Sequence, residues 1–250
     1  MKRILLTLSR LNRDSLPHYT RIALQSLRER FSTTLSWISC LWWGIKLGPQ
    51  CTFVGRAWFA RCRGSTIEIG ERCRFLSAVT SNHHGINRPC MLSTLCPEAI
   101  LKVGRDVGMS GAVVCCASRV EIGDRVLLGA NTTVTDTDSH PVDYRMRFPV
   151  TFGEAPEAVE TEVSSAPIII GDDVFIGMHT LILKGVSIGR GTVVGAGSVV
   201  SRSLPAYCIA AGNPAKPLRY LESSSTSETC ENDRSKIGQS TYQNAQIPNQ

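Results

Sequence analysis

The sequence predicts a mainly β protein, a parallel β-helix. A helical segment precedes it, one loop is extruded from it and a disordered tail follows. Three observations predict this. Aliphatic residues recur at every sixth position, whereas a helix repeats at about 3.6 and a two-faced strand at about 2. The residue after the aliphatic is often Gly. The 250 residues are 42% hydrophobic but only 6% aromatic and 19% charged, so a large core must be built from small aliphatics. That hydrophobic content excludes wholesale disorder, and that charge content excludes a long charged coiled coil.

Residues 1–50 read as a helical segment. Ile4–Leu8 is too short an apolar run for a signal peptide, and Arg10 ends it. Pro17 follows Asp14 and Ser15, where a helix can start. Leu24, Leu27, Phe31 and Leu35 form a stripe at helical spacing, with Arg21, Arg28 and Arg30 elsewhere on the cylinder. The run Leu35–Leu47 carries Trp37, Trp42 and Trp43 and is too short to span a bilayer. Two readings fit it: a helix lying at a membrane interface, or one packed on the body or on a neighbouring subunit. The net charge is +6, and its source is local. Residues 1–74 hold 13 Lys/Arg against 4 Asp/Glu, while residues 75–250 hold 14 against 17. The basic excess therefore concerns what the front segment touches.

Residues 51–221 carry the repeat. Ile170, Ile176, Ile182, Ile188, Val194 and Val200 stand six apart, and Gly171, Gly177, Gly189 and Gly195 follow four of them. The same phase holds Ile122, Leu128 and Val134, followed by Gly123, Gly129 and Thr135. Val103, Met109 and Cys115 extend it upstream, with one residue inserted before Ile122, and Ile69-Gly70 starts a weaker rung. Three short strands joined by tight turns make a triangular coil, and coils stack through parallel β hydrogen bonds. The aliphatics fill the prism, and small residues sit where the chain turns. An ordinary sandwich or α/β domain does not produce this spacing. Residues 140–167 lack the repeat and carry Pro141, Pro149, Pro156 and Pro167, so they form the extruded loop. Residues 222–250 are polar and aperiodic, a disordered tail.

Ten cysteines do not make a disulfide scaffold in a chain long enough to build a core. Cys40, Cys51, Cys62 and Cys73 recur every eleven residues. With no CxxC pair and no His at ligand spacing, this reads as coincidence rather than a zinc site. Cys115 and Cys116 point to opposite faces of a strand. The expectation is reduced cysteines acting as small hydrophobes in a cytosolic protein. No GxSxG, P-loop or GxGxxG pattern is present, and nothing marks a cysteine nucleophile.

Four stretches carry a resemblance: Ile122-Gly123-Asp124 with Asp136-Thr137-Asp138-Ser139-His140-Pro141; Ile170-Gly171-Asp172-Asp173-Val174-Phe175-Ile176-Gly177-Met178; Gly195-Ala196-Gly197-Ser198-Val199-Val200; and Ala211-Gly212-Asn213-Pro214-Ala215-Lys216. Over residues 65–220 the chain resembles the hexapeptide-repeat acyltransferases, whose fold is a left-handed parallel β-helix. It is most similar to galactoside, maltose and nodulation-type O-acetyltransferases and to acetyltransferases of polysaccharide biosynthesis. The resemblance implies a homotrimer with active sites in the clefts between prisms. It implies transfer of acetyl from acetyl-CoA to a sugar hydroxyl, in surface polysaccharide or glycolipid assembly, without a metal.

The resemblance matches His140 to the family's catalytic base. An imidazole with an ordinary pKa of about 6.5 is largely neutral at pH 7, as a base must be. Asp136 and Asp138 either orient that imidazole, contact the acceptor or cap turns. Phe175 stands where the family has a bulky aromatic beside the donor. Met178, Ala196, Ser201 and Arg202 match positions along acetyl-CoA, and Lys216 and Arg219 suit its phosphates. Met109 and Ala117 replace polar acceptor contacts, leaving Ser110 as the nearby hydroxyl. His179 and His83-His84 invite a metal reading, but a metal-dependent lyase of this fold needs three histidine ligands, two close in sequence. The other readings are an N-acyltransferase, acting on an amino sugar or serine-like acceptor, and a non-catalytic scaffold. The expected location is the cytosol, with residues 1–47 against the inner face of the membrane.

Overall fold

The computed structural model describes residues 16–147 and 163–222. The signal-peptide reading at Ile4–Leu8 and the tail from residue 223 onward lie outside the described residues. Helix α1 runs from Leu16 to Trp42. The helical reading of residues 1–50 thus ends early, because Gly44 takes a left-handed turn (φ 64°) and Lys46 is already in a strand.

The strands wind as coils. The first coil is β1 (Lys46–Leu47), β2 (Thr52–Val54) and β3 (Trp58–Ala60). The second is β4 (Thr66–Ile69), β5 (Arg74–Leu76) and β6 (Met91–Thr94). The third is β7 (Ile100–Val103), β8 (Gly108–Ser110) and β9 (Val113–Cys116). The fourth is β10 (Arg119–Ile122), β11 (Leu127–Leu128) and β12 (Thr133–Thr135). The fifth is β13 (Ile168–Ile170), β14 (Phe175–Ile176) and β15 (Leu181–Ile182), and the sixth β16 (Ser187–Ile188), β17 (Val193–Val194) and β18 (Val199–Val200). Strand β19 (Cys208–Gly212) extends the second wall, and β20 (Ala215–Tyr220) folds back antiparallel on it.

Each coil gives one strand to each of three parallel walls. Backbone hydrogen bonds such as Gly171 N to Ile188 O (2.9 Å) and Gly177 N to Val194 O (2.7 Å) join successive coils. The six-residue aliphatics point inward: Ile122, Leu128, Val134, Ile170, Ile176, Ile182, Ile188, Val194 and Val200 are all buried. At the opposite end the core is aromatic. Phe53 stacks on Phe75 (centroids 4.6 Å apart) and meets Phe59 edge-on at 6.1 Å.

Two details differ from the sequence reading. Val114, not Cys115, is the buried partner of Val134, so the step from Met109 is five residues and the step to Ile122 is eight. The eight-residue step is held by Asp136, as described below. The cysteine spacing has a structural origin in part. Thr52 pairs with Arg74, so Cys51 and Cys73 precede paired residues on adjacent coils, 22 residues apart, the local length of one coil. Cys40 lies on α1 and Cys62 in a turn. Burial pushes the Cys40 and Cys116 thiols up to about 12, and the nine cysteines among the described residues are unbridged.

The helix also sits differently on the body. Its buried residues are Ser32, Ser36 and Cys40, four apart, and not the stripe of Leu24, Leu27, Phe31 and Leu35, of which the first three are exposed and Leu35 is half-buried. Ser32 Oγ donates to Phe53 O and accepts from Gly55 N (3.1 Å), while Thr33 Oγ1 accepts from Phe53 N (2.9 Å). The helix therefore caps the open edge of β2, whose backbone groups would otherwise be unpaired.

Candidate active site

Three corners join the three walls, and they organise the predicted site residues. Four of these share one groove. On the second wall Leu127, Phe175 and Val193 pair in register and face outward, so one apolar row crosses coils four to six. Ser110, Met178 and Ala196 stand at the next corner, and with Phe175 they line a groove of about 560 Å³. Arg74, Asn82 and His84 line the same groove. Asn82 and His84 come from a second excursion, between β5 and β6, that carries no repeat and was not legible in sequence. Leu127 was legible, since it immediately precedes the inward Leu128. Lys216 and Arg219 are exposed on β20, which extends this wall, and Arg219 pairs with Ile209.

The other predicted residues lie at the corner after the third wall. There the chain leaves β12, and His140 stands exposed at the root of the extruded loop. The root is stapled: Thr137 bridges Ser165, Asp138 N donates to Ser164 O (3.1 Å) and Ala166 N to Asp136 O (2.9 Å). Ser201 and Arg202 follow β18 at the same corner, two coils on, and are exposed. Residues 148–162 of the loop lie outside the described residues. In one prism, then, His140, Ser201 and Arg202 are not in the groove of Phe175.

The two aspartates separate in role. Asp136 is fully buried, and its carboxylate accepts from Ala117 N (2.6 Å), Ser118 N (2.7 Å), Ser118 Oγ (2.9 Å) and Arg119 N (2.8 Å). It holds the two extra residues of the eight-residue step and is closed to an acceptor, which corrects the substrate-binding assignment. Asp138 is exposed but ion-paired to Lys184. His179 takes a left-handed turn (φ 56°) and donates its N–H to Ala130 O (2.8 Å). Asn131 does the same one coil earlier (φ 60°, to Ser110 O at 2.9 Å), so His179 occupies a corner-forming position. His83 and His84 are exposed. Among the described residues no group of three His, Cys, Asp or Glu is placed to hold a metal ion.

Comparison with known families places the repeat. The bacterial transferase hexapeptide (six repeats) matches residues 167–202, and the hexapeptide repeat of succinyl-transferase matches residues 119–136. Both fall on coils four to six. Over these coils the chain matches the hexapeptide-repeat transferase family. Within that family it is similar to the galactoside O-acetyltransferase of Escherichia coli, 39% identical over 102 residues, 41% of this chain and 44% of the relative. The chain thus spans less than half the length of that relative. A likeness of fold extends to an N-acyltransferase from Bacillus cereus, solved with dTDP and 3-hydroxybutyryl-CoA. It is 19% identical, has a TM-score of 0.53, and covers 75% of this chain and 89% of that one.

Proposed function

We propose that the protein is an O-acetyltransferase that moves acetyl from acetyl-CoA to a sugar hydroxyl, with surface polysaccharide or glycolipid as the acceptor class. The observation that carries this reading is a pair of half-sites at neighbouring heights on one prism. His140 stands at the end of coil four, and the Phe175 groove runs over coils two to six on another wall. A homotrimer unites them: one prism offers its His140 corner, and its neighbour offers the groove. The cytosol, where acetyl-CoA is made available, is the location this reading requires.

The chemistry asks little of the protein. The apolar row Leu127-Phe175-Val193 suits the pantetheine arm, and Arg202, Lys216 and Arg219 suit the phosphates. His140 takes the acceptor proton as the hydroxyl oxygen attacks the thioester carbonyl. The C–S bond then breaks, the sulfur leaves as thiolate, and the proton passes to it, giving an acetyl ester and CoA. Ser110, in the groove, is available to hold the acceptor.

The experiment is thiol release from acetyl-CoA with a panel of hydroxyl and amino acceptors. His140→Ala is expected to lower turnover by about 10²–10⁴-fold while leaving the melting temperature unchanged. Undiminished turnover in His140→Ala overturns the role of His140. Products acylated only on nitrogen overturn O-transfer in favour of N-acyl transfer.

A further inference from the structure

We propose that α1 docks the protein in the plane of an anionic lipid surface. The inference stands on the helix alone and does not depend on the acyl-transfer reading. The helix attaches to the prism through small polar residues, as its Ser32 and Thr33 bonds to β2 establish, together with the Trp37 indole, which donates to Cys51 O at 3.4 Å. Trp37 apart, its large apolar residues make little of that attachment, although Leu24 borders the cleft against Val54 and Ala78. Leu24, Leu27, Phe31, Ile38 and Trp42 follow one another at helical spacing, with Leu41 beside them, and are 57% to 86% exposed. A row of this kind exceeds the scattered exposed apolars of an ordinary surface.

The charge beside the row decides between occupants. Arg21, Arg28 and Arg30 are exposed; Arg28 reaches Thr80 Oγ1 of the prism at 3.4 Å. Glu29, the one acidic residue of Leu16–Trp42, turns to the body and pairs with Arg74 at 3.2 Å. The exposed charges of α1 are therefore cationic, with Arg21 and Arg28 bordering the cleft against the prism. A helix pairing with its own copy would set like charges against each other, whereas zipper seams carry opposite charges at their flanks. Anionic headgroups neutralise the same arginines while the row enters the acyl boundary, and exposed tryptophan suits that depth. No described helix is long and apolar enough to cross a membrane, so α1 lies along the surface.

The test is co-sedimentation of the full chain with vesicles of phosphatidylcholine alone or with about one-third phosphatidylglycerol. Binding to the anionic vesicles is expected, weakening as salt rises. Phe31→Glu with Trp42→Glu is expected to lower partitioning by about tenfold or more, with melting temperature and sedimenting mass unchanged. Arg21→Glu with Arg30→Glu is expected to abolish the preference for anionic over neutral vesicles. The proposal is overturned if the native chain stays in the supernatant, or if the variants bind as well as it does. It is equally overturned if Phe31→Glu with Trp42→Glu lowers the sedimenting mass, which would make the row an interface between copies.

Discussion

A Cβ built on Gly123 would lie 2.5 Å from Asp172 Oδ1 and 2.8 Å from Asp172 N. The same collision, with backbone of the following coil, meets a Cβ on Gly70 at 2.6 Å and on Gly171 at 2.8 Å. These glycines follow inward aliphatics at one corner, and they are there because stacked coils touch backbone to backbone. Their pattern was legible in the sequence; its cause, contact between coils rather than freedom to turn, was not. Gly123→Ala is expected to cost about 1–3 kcal/mol of stability, read from urea unfolding, because backbone must shift to admit the methyl group. Asp136 makes the complementary point. Sequence left it open between a site role and a turn role, since a carboxylate beside the SHP segment suits both. Asp136→Ala strands three backbone N–H groups of Ala117, Ser118 and Arg119 and is expected to lower stability by about 3 kcal/mol or more. Comparison with His140→Ala in melting and turnover separates the two residues: the first should fail chiefly in stability and the second only in rate.

At the scale of elements, one corner carries a ladder of ion pairs along the prism. Arg72 pairs with Asp106 (2.7 Å), Arg105 with Asp124 (2.8 Å), and Arg125 (2.5 Å) and Arg190 (3.0 Å) both with Asp173. Hydrogen bonds from Arg72, Arg105 and Arg125 hold the carboxyls of Asp106, Asp124 and Asp173 below their usual range. A carboxyl depressed in the folded state stabilises it above the unfolded pKa of about 3.9 and loses that contribution as pH falls through the folded value. The stability curve should therefore drop below about pH 4, and Asp173→Asn should flatten that drop in urea melts across the acid range. The effect is small per pair, because water screens exposed charges. The helix shows the limits of periodicity. Its stripe was legible, because 3.6-residue spacing puts Leu24, Leu27 and Phe31 on one face. Which face meets the prism was not, since that face is chosen by the bonds of Ser32 and Thr33 to the backbone groups of β2. Coil three shows the same limit: strand pairing shifted the inward position from Cys115 to Val114, after which Asp136 absorbed the extra residues.

At the scale of the whole molecule, the prism acts as a ruler. Each residue's height follows from its coil, so His140 at the end of coil four and Phe175 on coil five stand at neighbouring heights although they are on different walls. On the proposed reading, one chain thereby holds two halves of a site rather than a whole one. The period by itself determined the coil and the inward aliphatics of coils four to six, because inward or outward direction is set locally by each short strand. The tertiary structure alone decided three things: the groove shared by Ser110, Phe175, Met178 and Ala196 with Asn82 and His84, the burial of Asp136, and the outward turn of the α1 stripe. These depend on contacts between residues far apart in the chain, formed where excursions and edges depart from the repeat, and such contacts leave no periodic trace in the sequence.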